Sequence, residues 1–382
     1  MDYIRKIKVL HIHTLPVISG SGINTFLTMK LSENIFESSI ACRPGGKLEE
    51  LVKSNNFEFY PINNFRAPVN PARDIMALYE LYKLLKTYNF DIIHTHNSKA
   101  GFIGRLAGRL AGNVKIVHTV HGFAFHSKEK WHKRILFLLL EKLAANWVDR
   151  LIFISQPLMD WAKNEGLIKC AFKKIYSGID VENFKPADAK TKFEIKQKLN
   201  VKETDFVIGE VAKLWEGKGH QTIIEAVKIL KPKIPGLKVL FIGEGYLRAE
   251  LENSVNKYGL QETVIFTGFI ENVCDYNSIL DISLLISDFE GMGRVILESM
   301  ICGSPVIAAE VGGIVDIIKN YETGLLVEAS NPKMLSEKIM ELYCSPDLRK
   351  KLAANATKRL SAEFTAKEMA SRINEIYRSL MF

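Results

Sequence analysis

No apolar run in the chain approaches the roughly 20 residues of a membrane-spanning helix; the longest candidates are as short as ILFLLL (135–140). The opening MDYIRKIKVLHIHTLP has a charged start that runs into a strand, without the extended apolar stretch of a secretion signal. Cysteine is scarce and scattered. Cys42, Cys170, Cys274, Cys302 and Cys344 show no Cys-x-x-Cys spacing. That argues against a disulfide framework or a zinc site and for reduced thiols in a cytosolic compartment. Zinc-finger spacing and RNA-binding aromatic signatures are missing, so basic charge alone makes no case for nucleic acid. Low-complexity tracts and short tandem repeats are missing too.

What is present is a soluble globular composition, 47% apolar and 25% charged, over 382 residues. That length favours two domains. The net charge of +8 suits anionic partners such as nucleotides, phosphates or an acidic membrane surface. Short β-rich runs alternate with longer helical ones. Strands are expected at 6–13, 38–43, 91–96, 114–120 and 150–155, with helices at 24–34, 72–88, 99–111 and 129–147 between them. The alternation restarts after about residue 190. Strands follow at 206–212, 237–243, 263–268, 281–287 and 304–310, and helices at 219–231, 246–258 and 293–302. Strands separated by helices imply parallel βαβ units, and two such series imply two doubly wound α/β domains. SGIDVENFKPADAK (177–190) reads as the linker. The domains expected are 1–180 and 190–364, with a terminal helix at about 365–382 packing back on the first.

In open α/β sheets ligands sit beyond the carboxyl ends of the strands, so the loops there carry the chemistry. SGSGINTF (19–26) follows the first strand, and Gly20 and Gly22 allow close backbone approach to a ligand or simply a tight turn. Thr25 stands where a nicotinamide fingerprint needs its third glycine. In VHTVHGFAF (117–125), His118 lies on the strand and reads as structural, whereas His121 sits at its exit. A histidine there can donate to a sugar hydroxyl or a phosphate. VAKLWEGKGHQTIIEA (211–226) places Lys213 and Lys218 beside a helix start, suited to a diphosphate but without Walker A spacing. Gly243-Glu244-Gly245 reads as a sharp turn, and Phe269 as either a platform for a base or core. EGMGRVILE then sets Glu290 in a loop and Glu298 inside the helix that follows. Gly291, Met292 and Gly293 lie between, with amides available to phosphate or sugar oxygens. A nucleotide-sugar can span the two glutamates.

Taken in order, these segments resemble retaining glycosyltransferases of family four, with the GT-B fold. EGMGRVILE is similar to that family's pair of glutamates eight positions apart, VAKLWEGKG to its phosphate-binding segment, and IGEGYLRAELE and SPVIAAEVGGIVDIIKNYETGLLV to its neighbouring segments. HTHNSKAGFIGRLAGR with HTVHGFAFH resembles the bacterial polysaccharide-building branch. The resemblance covers nearly the whole chain. It implies two Rossmann-like domains facing each other across a cleft, an N-terminal one for the acceptor and a C-terminal one for the nucleotide-sugar. It also implies that Glu290 contacts the donor sugar, Glu298 the ribose, and Lys213 and Lys218 the diphosphate. Gly291, Met292 and Gly293 would offer amides, His121 would sit beside the transferred sugar, and Gly22 would approach the leaving phosphate or acceptor. The implied reaction moves a sugar from a nucleotide-sugar, UDP preferred, to a lipid-linked or saccharide acceptor in cell-surface polysaccharide synthesis. Neither a metal nor a cofactor is expected, since no Asp-x-Asp motif stands where the other major glycosyltransferase fold holds a divalent ion. The family commonly has Arg at Lys213, and lysine lacks the bidentate fork.

Lys128, Lys130, Lys133 and Arg134 precede ILFLLL, so 123–147 reads as a core helix with a basic start or as a peripheral contact with an anionic membrane. The expected location is cytoplasmic, at the inner face of the plasma membrane if that contact forms. Other readings are a sugar-nucleotide epimerase or phosphorylase on the same scaffold, a non-catalytic nucleotide-sugar-binding protein and, undercut by the missing fingerprint, a nicotinamide oxidoreductase.

Overall fold

The computed structural model describes residues 5–122 and 131–382. The chain divides into an N-terminal unit, 1–178 with 366–382, and a C-terminal unit, 179–365. The N-terminal unit contains β1 (Ile7–Ile12), β2 (Phe36–Cys42), β3 (Glu58–Pro61), β4 (Ile92–His96), β5 (Lys115–Val120), β6 (Arg150–Phe153) and β7 (Ala171–Lys174). They form one parallel sheet in the order β3-β2-β1-β4-β5-β6-β7. Its helices are α1 (Gly20–Lys30), α2 (Lys47–Ser54), α3 (Pro71–Tyr88), α4 (Ser98–Ala111), α5 (Trp131–Ala144) and α6 (Gln156–Asn164).

The C-terminal unit opens with α7 (Ala189–Lys198) and builds a second parallel sheet. Its strands are β8 (Phe206–Val211), β9 (Leu237–Ile242), β10 (Val264–Gly268), β11 (Ile282–Leu285), β12 (Val306–Ala309) and β13 (Leu325–Val327), in the order β10-β9-β8-β11-β12-β13. Between them run α8 (His220–Leu230), α9 (Arg248–Lys257), α10 (Val273–Asn277), α11 (Arg294–Ile301) and α12 (Ile314–Ile317), followed by α13 (Pro332–Cys344) and α14 (Pro346–Glu363). The strands are short apolar runs covered on both faces, as parallel strands require. Ile208, Val239, Phe241 and Leu284 of the second core are all fully buried, each contributing roughly 1.5–3 kcal/mol.

Three strands absent from the sequence reading, β3, β7 and β13, lie at sheet edges. EFYP and AFKK carry charge or proline instead of an apolar run, and LLV is three residues long. Blunted edges of this kind carry little periodic signal. Helix α1 starts at Gly20 instead of 24 because Ser19 caps it, accepting from Gly22 N. The expected linker is partly structured. Ile179 is fully buried and bridges Thr365, so the chain crosses between units there and at 365–366. The last helix, α15 (Ala366–Met381), packs Met369, Ile373, Ile376 and Tyr377 against Val9, Ile92 and Val117 of the first sheet. The cysteines, all free, are less dispersed in space than in sequence, since Cys274 Sγ and Cys302 Sγ lie 2.6 Å apart.

Helix α5 is not a core helix. Glu141 and Ala144 are its buried residues, and Glu141 accepts from Arg105 at 2.7 Å. Trp131, Ile135, Leu136, Leu139 and Leu143 are exposed. An apolar groove of about 390 Å³ runs beside it, lined by Ile75, Leu78, Phe102, Leu106, Phe137 and Leu140 among others. Lys128 and Lys130 of the proposed membrane segment lie outside the described residues. No helix among the described residues is long and apolar enough to cross a membrane.

Candidate functional site

Both sheets reverse their strand order once, at β1/β4 and at β8/β11. Chains leaving such neighbours turn opposite ways and open a crevice at the strand ends. Of the sequence-predicted residues, Gly22 follows β1, Lys213 and Lys218 follow β8 and Glu290 follows β11, at these reversals, whereas His121 follows β5 and Phe269 follows β10. Gly22 and His121 belong to the N-terminal unit, and the other eight to the C-terminal unit.

In the C-terminal unit, the segment after β8 carries both lysines. Lys213 Nζ lies 4.2 Å above the centre of the Trp215 ring, a cation–π contact that restrains a long side chain. Gly219 precedes α8 with φ of 80°, and a Cβ there would sit 2.1 Å from the Ile286 carbonyl oxygen. Only glycine lets the lysine loop lie this close to the end of β11. The result is direct contact between two predicted residues. Lys218 Nζ donates to Glu290 Oε1 at 2.6 Å, and Ser287 Oγ donates to the same oxygen at 2.9 Å. Glu290 is also fixed through its backbone. Its carbonyl accepts from Gly313 N at 3.1 Å, and a Cβ at Gly312, φ 49°, would lie 1.8 Å from that oxygen.

Gly293 takes φ of 77° as it precedes α11. Met292 is buried, so its side chain serves the core. Glu298 is not a bare acceptor. It sits one turn into α11, 3.4 Å from Arg294 Nε, a partner the sequence reading passed over. Burial raises the Glu298 carboxyl above its usual range, against the pull of Arg294. Phe269 follows β10 and is 61% exposed, which removes its reading as core. Beneath the lysine loop, Glu210 on β8 accepts from Ile286 N at 3.0 Å and lies 3.4 Å from His220. Burial pushes Glu210 up to about 8 and His220 down to about 4, so both are neutral at pH 7.

In the N-terminal unit Gly22 is engaged locally. Its amide donates to Ser19 Oγ at 3.3 Å, and a Cβ would lie 2.9 Å from Val17 O. A tight turn explains the glycine, and the capped amide is not offered to a phosphate. His121 leaves β5 and joins a set of imidazoles that the sequence reading did not assemble. The β1–β4 register pairs His11 with His94. Side chains alternate along strands, so His11, His13, His94, His96 and His121 share one face. His118 lies on the other face, bonded to Thr95 at 2.9 Å, which accounts for it structurally. Ring nitrogens of His11, His94 and His96 come within 4.8 Å of one another, the spacing of a metal site. Five of their six ring nitrogens already have hydrogen-bond partners, and His11 Nε2 has none. His94 bonds the hydroxyls of Tyr377 and Thr119 at 2.6 and 2.7 Å, and His96 bonds His11 and His121, each at 3.1 Å. Burial lowers His11 to about 3 and His121 to about 4, so these rings are neutral at pH 7.

With this geometry in place, the chain can be set beside known proteins. Residues 191–359 match the family described as Glycosyl transferases group 1, and residues 27–183 match Glycosyltransferase Family 4. The chain is 31% identical over 332 residues to the UDP-Gal:alpha-D-GlcNAc-diphosphoundecaprenol alpha-1,3-galactosyltransferase of Escherichia coli, covering 85% of each. It belongs to glycosyltransferase family 4. The glycosyltransferase is likewise 31% identical to Putative glycosyltransferase EpsD of Bacillus subtilis (strain 168), covering 83% of each. Its fold is shared with Anabaena Alr3699/HepE, solved in complex with UDP and glucose, at a TM-score of 0.85 and 20% identity, over 98% of this chain and 100% of that one. Such neighbours give it the GT-B fold, and the relatives make glycosyl transfer in surface glycan synthesis its activity.

Proposed function

We propose that the enzyme transfers a hexose or N-acetylhexosamine from a UDP-sugar to a lipid-linked or saccharide acceptor, with retention of anomeric configuration. The Lys218–Glu290 contact carries this reading, because an ammonium meets a carboxylate at the β8/β11 crossover, a pair suited to a diphosphate and a sugar hydroxyl. The ammonium has three N–H donors, and Glu290 takes one. The other two, with Lys213, counter the negative charge that grows on the departing diphosphate. Glu290 Oε2 holds a hydroxyl of the transferred sugar, and Glu298, held by Arg294, meets the ribose. In the retaining reaction the acceptor hydroxyl bonds to the anomeric carbon on the face the diphosphate leaves, and its proton passes to the departing phosphate oxygen. His121, neutral, bonds the sugar or acceptor and does not serve as an acid. The Escherichia coli relative, named for a UDP-galactose donor and a diphosphoundecaprenol-linked acceptor, supports both substrate classes. The exposed apolar face of α5, with Lys133 and Arg134 beside it, supports peripheral contact with an anionic membrane at its cytoplasmic face.

A thermal-shift panel of UDP, GDP and ADP, with and without magnesium, tests the donor site. A ligand that binds only the native state raises the melting temperature by mass action. UDP alone should raise it, equally in both conditions, and Glu298→Ala should abolish the shift. A shift with GDP or ADP instead overturns the nucleotide assignment, and no shift at saturating concentration overturns the site.

A further inference from the structure

We infer that the buried imidazoles of β1 and β4 set the tautomer of His121, so that its hydrogen lies on Nδ1 and that nitrogen meets a ligand as an N–H donor. This rests on the reading of His121 as a site residue. Three rings stand in line. His121 Nε2 is 3.1 Å from His96 Nδ1, and His96 Nε2 is 3.1 Å from His11 Nδ1. A neutral imidazole has one N–H and one lone pair, so each contact joins one donor to one acceptor. Fixing the hydrogen at one end of the line therefore fixes it at the other.

The inner end decides. His11 Nε2 is buried and has no hydrogen-bond partner. A stranded N–H is rarer in buried protein than a stranded acceptor, so Nε2 carries the lone pair. The hydrogen of His11 is then on Nδ1 and is donated to His96 Nε2. His96 must hold its own hydrogen on Nδ1 and donate it to His121 Nε2. His121 is left with its hydrogen on Nδ1, which has no partner among the described residues. The hydroxyl of Thr25, 3.3 Å from His96 Nε2 and 2.8 Å from His13 Nε2, rotates to fit either direction and does not decide. A neighbouring cavity of about 20 Å³ is lined by Thr25, His96 and His121 but not by His11, so a water there does not reach the inner end. An imidazole protonated on Nδ1 cannot take a proton from an acceptor hydroxyl through that nitrogen. His121 donates to an oxygen of the sugar or acceptor, and His96 and His11 are positioning residues for it.

The test is a long-range proton–nitrogen correlation spectrum of the full-length enzyme labelled with ¹⁵N-histidine, at pH 7.5, with His121→Ala assigning the signal. Expected is a pyrrole-type Nδ1 and a pyridine-type Nε2 at His121, becoming a mixture of tautomers in His11→Leu. In that variant kcat should fall by roughly 10-fold or more, as loss of tautomer control does for hydrogen-bonded catalytic histidines, with KM for the donor unchanged. A native His121 protonated on Nε2 overturns the inference, as does stoichiometric zinc in native-state mass spectrometry. If His11→Leu does not fold, the wild-type spectrum still decides. Full transfer activity in His121→Ala would remove the role of His121 in the reaction and leave its tautomer as measured, so the two failures are distinct.

Discussion

The two units are built on the same sheet plan but treat polar groups at the crossover differently. The N-terminal unit gathers five imidazoles on one face, four buried and His121 half-buried, keeps them neutral through burial and hydrogen-bonds them to one another and to hydroxyls. The C-terminal unit leaves Lys218 and Glu290 partly in solvent, at 30% and 17% exposure, and pairs them with each other. Burial without charge makes structure that is rigid but sensitive to acid. Pairing near the surface makes a site that can exchange partners with a ligand at little cost to the fold.

Acid should separate the units most strongly. His11, His13, His94, His96, His118 and His121 all have folded values below the ordinary 6.5. Below pH 6.5 the unfolded chain takes up protons that the fold refuses, so their contribution is complete above that pH and drains as pH falls. Each such group makes the folded state less stable as pH falls below 6.5. The charged residue facing them is Arg105, beside His118, and it opposes protonation further. The N-terminal unit should therefore be the first to lose its fold as pH falls. In the C-terminal unit, His220 loses stability as pH falls below 6.5. Glu210, with its folded value near 8, gains over the fall from 8 to 4.5. Between 6.5 and 4.5 the two cancel. Hydrogen exchange read by mass spectrometry should show protection lost first at 7–13 and 92–96 and retained at 206–211. Simultaneous loss would erase the contrast.

Lys218→Ala should lower kcat by about 10²–10³-fold, the usual effect of removing one transition-state donor. Melting should shift little, since a partly exposed pair is worth about 0–1 kcal/mol. Steady-state kinetics beside calorimetry checks this, and a large loss of stability with modest kinetic change would show the pair to be structural. Tyr377→Phe should do the reverse. It strands His94 Nδ1 in the core and should destabilise the N-terminal unit by about 1–3 kcal/mol in urea unfolding, while UDP binding in the C-terminal unit is kept. Weakened UDP binding there would show the units to be energetically linked. Phe269→Ala should be mildest, raising the donor KM several-fold through loss of about 1 kcal/mol of stacking. An unchanged KM would leave that exposed ring without a role at the donor.

The C-terminal candidate site was legible because its residues are compact in sequence. Glu290, Gly291, Gly293 and Glu298 lie within nine residues, and the lysines flank one turn. What was not legible was their coupling. Nothing in the spacing says that Lys218 reaches Glu290 across 72 residues, or that Arg294 holds Glu298. The histidine face left a signal that went unread. HIH at β1 and HTH on β4 repeat histidine at even spacing, which places each pair on one side of its strand, whereas the odd spacing in HTVH sends His121 to that face and His118 to the other. The register of β1, β4 and β5 was needed to stack them. Gly22 stays ambiguous in sequence because a glycine that avoids Val17 O and one that admits a phosphate look alike there. Helix α5 misled in part because an apolar run does not say which way it faces.

Helix α15 adds an order in time to this architecture. Tyr377 bonds His94 across 283 residues, and the helix that carries it leaves the ribosome only after the whole C-terminal unit. The N-terminal sheet, although made first, must wait with one flank of its core uncovered and His94 short of a partner. The residues of the C-terminal unit are all made before those of α15, so the usual order, first domain first, cannot run to completion in the N-terminal unit until the other unit has been synthesised.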